Sequence, residues 1–162
     1  MSSYKILIYG YGNPGRQDDG LGNSFVNLFE KWIKEENMHG FEFDSNYQLN
    51  IEDADAIAGK DLVIFVDAST EEIEDFILTP VDADTNVAFT SHAASPGYIV
   101  SLCKDIYNKI PPTYLLHIKG YEWAFKEGLS DKAKKNLELA FRHMKDICLE
   151  PKKLIDRFEN FL

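Results

Sequence analysis

Asp18 and Asp19 stand side by side just after an apolar run that breaks at glycines, Ile6-Leu7-Ile8-Tyr9-Gly10-Tyr11-Gly12-Asn13-Pro14-Gly15. Neighbouring acids in such a place do one of two things. They cap the following helix and complement its dipole, worth roughly 0.5–2 kcal/mol, or one of them offers oxygen to a cation. Asp67 closes a second apolar run, Leu62-Val63-Ile64-Phe65-Val66, either as an ordinary turn residue or as another oxygen donor. His92 follows Thr90-Ser91 as a hydrogen-bonded loop histidine, as a neighbour of the next helix cap, or as a nitrogen donor. Taken singly, each has the duller explanation. Taken together, two carboxylates and a histidine at one sheet edge make a mixed oxygen and nitrogen site for zinc, nickel or a similar ion. His39, His117 and His143 are assigned no chemistry.

The same glycines satisfy G-x-G-x-x-G after a strand, a weak dinucleotide signature. A pyrophosphate would sit on the N-terminus of the following helix, where Asp18 and Asp19 already place negative charge. The ribose-binding acid expected about 20 residues on has no clean counterpart, since Asp44 comes too late. The loop therefore reads better as a platform for a cation than as a cradle for phosphate.

The elements that must position these residues alternate between strand and helix. Residues 4–9 and 61–67 carry consecutive apolar side chains, the pattern of strands covered on both faces. Residues 41–48 alternate, and 76–78, 87–89 and 114–118 read as shorter strands. Helical spacing appears over 19–37 (Leu21, Phe25, Leu28, Phe29, Trp32, Ile33) and 51–58, with Asn50 as candidate cap and Gly59 as stop. It recurs over 96–110, closed by Pro111-Pro112, and over 130–149 with Ser130 as cap. Residues 120–128 read as a loop, and 150–162 as an extra amphipathic helical tail. The expected fold is a single α/β domain over 1–162, a three-layer α/β/α sandwich with a mostly parallel, twisted sheet of about five strands. In such a sheet, sites form outside the carboxyl ends of the strands. Those ends carry residues 13–19, Asp67, Ser91 with His92, and Tyr121 with Glu122.

Composition narrows the classes. A net charge of −10 repels nucleic acid and anionic membranes, so neither is expected as a partner. Cys103 and Cys148, far apart, build no cysteine zinc site and fit a reduced compartment. With no basic segment leading into a long apolar run, neither a signal peptide nor a membrane span is expected. The expected location is cytoplasmic.

The stretch Gly10-Tyr-Gly12-Asn13-Pro14-Gly-Arg-Gln-Asp18-Asp19-Gly20-Leu-Gly22 resembles the GxGNxxxxDDGxG signature of the hydrogenase maturation proteases. These endopeptidases trim the C-terminus of the nickel-iron hydrogenase large subunit. Phe65-Val66-Asp67-Ala68, Ser91-His92 with Ser95-Pro96, and Gly120-Tyr-Glu-Trp-Ala-Phe-Lys-Glu-Gly128-Leu129-Ser130 are similar to the family's further motifs. The likeness spans about residues 4 to 148. It implies a peptidase, of aspartic or metal-dependent type, whose catalytic and metal-contacting residues are Asp19, Asp67 and His92. It also implies nickel carried by the substrate as a recognition mark, with zinc or cadmium able to occupy the same site. The partner it implies is a hydrogenase large-subunit precursor or a related metalloenzyme. Under that resemblance Asp18 caps the helix, and Asn13 orients the loop or donates to an oxyanion. Two departures stand out. Gln17 sits where the family often has a small residue or glycine, and residues 47–54 replace a more usual Asp-Gly-Gly-Thr loop. The alternatives are a non-catalytic binding or chaperone protein for a metallated precursor, and a nucleotide-binding α/β domain.

Overall fold

The computed structural model describes residues 4–83 and 94–161. Five strands form one sheet, β1 (Ile6–Tyr11), β2 (Phe41–Asn46), β3 (Leu62–Ser69), β4 (Phe76–Pro80) and β5 (Thr113–Lys119), in the order β2-β1-β3-β5-β4. All neighbours are parallel except β4, which lies antiparallel to β5 at one edge. The helices are α1 (Leu21–Glu35), α2 (Asp53–Ile57), α3 (Pro96–Tyr107), α4 (Asp131–Cys148) and α5 (Pro151–Glu159). The expected α/β fold with a mostly parallel five-stranded sheet is therefore present. The strand read at 87–89 lies outside the described residues.

The consecutive apolar runs divide between two cores because successive strand side chains point to opposite faces. Ile6 and Ile8 join Leu62, Ile64 and Val66 in a core closed by Phe25 and Phe29 of α1, Ala140 and Met144 of α4, and Leu154 and Phe158 of α5. Leu7, Tyr9, Val63 and Phe65 face the other way, onto Ala54 and Ile57 of α2 and Ile99, Val100 and Cys103 of α3. Full burial of a large apolar side chain contributes about 1.5–3 kcal/mol, so two dry faces give this sheet its rigidity. The tail is held by more than its apolar stripe. The Tyr114 hydroxyl donates to the Leu154 carbonyl at 2.6 Å, and the Tyr114 ring packs edge-on against Phe158.

Several boundaries differ from the sequence reading, for local reasons. β1 runs on through Gly10 to Tyr11 because it pairs there with Ser45 and Asn46 of β2. β3 continues two residues past Asp67, since Ala68 and Ser69 pair with Ile118 and Lys119. α3 stops at Tyr107, where Asn108 takes a left-handed conformation (φ 56°) and donates its N–H to the Lys104 carbonyl, a common helix ending. At α2 the expected cap is reversed. Asp53, inside the helix, accepts from the Asn50 N–H at 2.7 Å and from the buried Tyr9 hydroxyl at 2.9 Å. No helix among the described residues is long and apolar enough to cross a membrane.

Candidate active site

α1 covers one face of the sheet and α2 the other, so the order in which strands are added reverses between the parallel neighbours β1 and β3. A crevice opens at the carboxyl ends of strands at such a switch point. Gly22 lets α1 close against it, for a Cβ there would meet the Val66 carbonyl oxygen at 2.3 Å. That approach holds the β1–α1 loop, with its acid pair, beside the end of β3.

The loop itself is not the helix start expected over 19–37. Pro14–Gly20 forms a tight 3-10 turn interrupted at Arg16 and Gln17, and α1 begins only at Leu21. Asn13 caps the turn, accepting the Gly15 N–H at 2.9 Å. Gln17 is buried at φ 47° and ψ −115°, a backbone region that strains any residue with a Cβ. The strain is held by residues 120–128. The Gln17 N–H donates to the Lys126 carbonyl at 2.9 Å, and its Oε1 accepts the Ala124 N–H at 3.1 Å. Arg16 adds an Nε donation to the Trp123 carbonyl and lies over the Phe125 ring.

Asp18 caps no part of α1. Fully buried, it accepts from the N–H groups of Tyr121, Glu122 and Ser130 and from the Ser130 hydroxyl, at 2.7–3.0 Å. Burial alone would raise its pKa, but these hydrogen bonds, led by Ser130, hold the carboxyl below the usual range. Gly120 makes room, since a Cβ there would stand 2.8 Å from the Asp18 Cβ. Asp18 thus ties the acid loop to the start of α4, whose cap is Ser130.

Asp19 and Asp67 are differently placed. Asp19 is half-buried, and its Oδ2 accepts the Asn13 N–H at 2.9 Å. Asp67, also half-buried, is pushed up to about 7 by burial and by the charge of Asp19. The Ala68 N–H and the Tyr11 hydroxyl beside it oppose that shift. Asp19 and Asp67 thus lie close enough to raise the proton affinity of Asp67, and among the described residues no cationic side chain pairs with either. His92 lies outside the described residues. Among the described residues, no three His, Cys, Asp or Glu side chains are grouped closely enough to hold an ion.

Two neighbours of Asp67 carried no signal in the sequence reading. The parallel register sets Gly10 opposite Val66, so Tyr11 comes next to Asp67 on the α2–α3 face. Burial raises the Tyr11 phenol, and the charge and hydrogen bond of Asp67 raise it further. On the other side His117 is directly opposite Asp67 in β5, with its Nε2 2.9 Å from the Thr79 hydroxyl. Burial keeps the imidazole below its usual pKa. Strand register, once known, would have flagged both.

Two carboxylates facing one crevice are oxygen donors of the kind that hold a divalent cation. Two oxygen donors repel each other across a partly desolvated crevice, and a positive charge between them relieves that repulsion.

No family model matches the chain. A provisionally named hydrogenase maturation protease of Methanocaldococcus jannaschii is 27% identical over 148 residues, covering 86% of this chain and 94% of that protein. The [NiFe] hydrogenase maturation protease HycI of Thermococcus kodakarensis superposes with a TM-score of 0.66 at 22% identity, over 89% of this chain and 92% of its own. The hydrogenase maturating endopeptidase HybD of E. coli gives 0.67 at 18% identity, over 86% and 89%. Fold and sequence thus both bear out the resemblance carried by the motifs.

Proposed function

We propose that this chain, which has the fold of the hydrogenase maturation proteases and resembles them in sequence, is a maturation endopeptidase. Its substrate would be the precursor of a hydrogenase large subunit or of a related metalloenzyme, from which it removes a C-terminal extension. The observation that carries this reading is the meeting of Asp19 and Asp67, with no ion pair to either among the described residues, at the crevice between β1 and β3.

Nickel belongs to the substrate in this reading and marks the precursor as ready for processing. Asp19 and Asp67 would hold the ion, with His92 as third donor; zinc or cadmium would suit the same set. Bound there, a metal supplies Lewis acidity to the scissile carbonyl or to a water. The chain's own groups do the positioning. The Asn13 N–H fixes one Asp19 oxygen, leaving the other for the ion. Asp18 and Gln17 anchor the loop to residues 120–130, so Asp19 has little freedom to turn away.

The test is to incubate the protein with a nickel-loaded precursor and weigh the product. A loss of mass from the C-terminus is expected, and Asp19→Ala should abolish it. Cleavage that survives Asp19→Ala removes that residue from the mechanism. Stable binding without cleavage by the unsubstituted chain would favour the chaperone reading instead.

A further inference from the structure

Tyr11 lies inside the glycine-rich signature, at a position where the motif itself asks for no particular residue. Its place in the fold is specific. On β1, Leu7 and Tyr9 face the α2–α3 core, and Tyr11 follows them on that face. On β3, Val63 and Phe65 face the same way, and Asp67 follows them. The parallel register Tyr9 opposite Phe65 and Gly10 opposite Val66 then brings Tyr11 and Asp67 side by side on adjacent strands. The Tyr11 ring is held edge-on against Phe65, with centroids 6.4 Å apart. That register sets the Tyr11 phenol next to the Asp67 carboxylate, where each group acts on the other's proton affinity.

We infer that Tyr11 is the positioning residue for Asp67, holding its carboxylate in the orientation that a divalent cation in the crevice requires. The inference rests on the endopeptidase reading for the identity of the cation. A carboxylate offers about four lone-pair positions, and a single phenol takes only one of them. The rest stay open, while rotation of the carboxylate is restrained by a donor that is itself fixed to a strand. Partners of this kind behind a ligating group typically matter by 10–100-fold in metal affinity. Tyr11 acts through Asp67 and has no contact with the ion in this scheme.

The experiment titrates the full chain with zinc, a diamagnetic stand-in, comparing the unsubstituted protein with Tyr11→Phe and Asp67→Asn. Tyr11→Phe keeps the ring on Phe65 and removes only the hydroxyl. We expect its zinc dissociation constant to weaken about tenfold at an unchanged unfolding temperature, whereas Asp67→Asn loses saturable binding. With a nickel-loaded precursor, whose ion Asp67 would hold, KM should rise in Tyr11→Phe while kcat changes less. Equal or tighter zinc binding by Tyr11→Phe, with Asp67→Asn still defective, overturns the role of Tyr11 and leaves the site standing. An unsubstituted chain that binds no zinc, or an Asp67→Asn chain that binds as well as it does, removes the metal site and this inference with it. A second measurement needs no Tyr11 variant. In protein labelled with 13C at the hydroxyl-bearing tyrosine carbon, the Tyr11 signal should shift on adding zinc. No shift at saturation would also contradict the proposal.

Discussion

Asp18 and Asp19 are adjacent in sequence, yet they belong to different parts of the molecule. Asp18 is enclosed by four donors from residues 121–130 and works as a structural tie. Asp19 accepts at one oxygen only among the described residues, and its charge raises the proton affinity of Asp67. One carboxylate has its charge satisfied by the protein. Asp19 and Asp67 have no cationic side chain paired to them among the described residues, and burial together with the Asp19 charge pushes the Asp67 pKa up, in the place where a cation would relieve it. Uncompensated charge beside fully compensated charge is the pattern of a site built into a rigid frame.

The largest expected effect separates the two on activity. Asp19→Ala and Asp67→Asn should each lower precursor cleavage by about a thousandfold or more, about 4 kcal/mol of barrier, as read from the rate of C-terminal mass loss, while both proteins stay folded. Next comes stability. Asp18→Ala strands three buried N–H groups and a hydroxyl, and should cost about 3–5 kcal/mol in urea unfolding.

Asp67→Asn should do the reverse to the metal-free chain. Folding raises the Asp67 pKa to about 7, so between about pH 4 and 7 the folded state holds a proton that the unfolded state has lost. Stability therefore falls as pH rises through that window, and the full penalty is present above it. Removing the charge should add on the order of 1–3 kcal/mol at pH 8, and the gain should fade towards pH 4. For Asp18 the sign is opposite. Its folded pKa lies below the unfolded one, so its stabilisation is present at neutral pH and is lost as pH falls through the folded value. Denaturation curves at three pH values, for Asp67→Asn and Asp18→Ala, check the pair.

Much of this was legible in the sequence. The runs Ile6-Leu7-Ile8 and Leu62 to Val66 announced strands covered on both faces, and the strand-end rule put Asp19 and Asp67 at one edge. What the sequence hid were contacts between distant segments. Asp18 looked like a cap for the helix next to it, whereas its partners are over a hundred residues away. Tyr11 looked like filler in the glycine loop and His117 like filler in a strand until register set them beside Asp67. Gln17 did carry a signal. A small residue or glycine is usual there because the backbone turns to positive φ, and this chain accepts the strain by bonding Gln17 to Ala124 and Lys126.

That explanation gives the smallest prediction. Gln17→Gly and Gln17→Ala both lose the bond to Ala124, but only glycine also relieves the strain. The glycine variant should be more stable than the alanine one by about 1–2 kcal/mol, opposite to the usual order in a helix or strand.

The account turns on whether Asp67 is kept for function against its effect on folding. One measurement addresses that directly: the cleavage of a nickel-loaded precursor by Asp67→Asn at pH 8, where the variant should be the more stable protein. The precursor should stay uncut at times when the unsubstituted chain has converted it completely. Cleavage at the unsubstituted rate by a fully folded Asp67→Asn would contradict it.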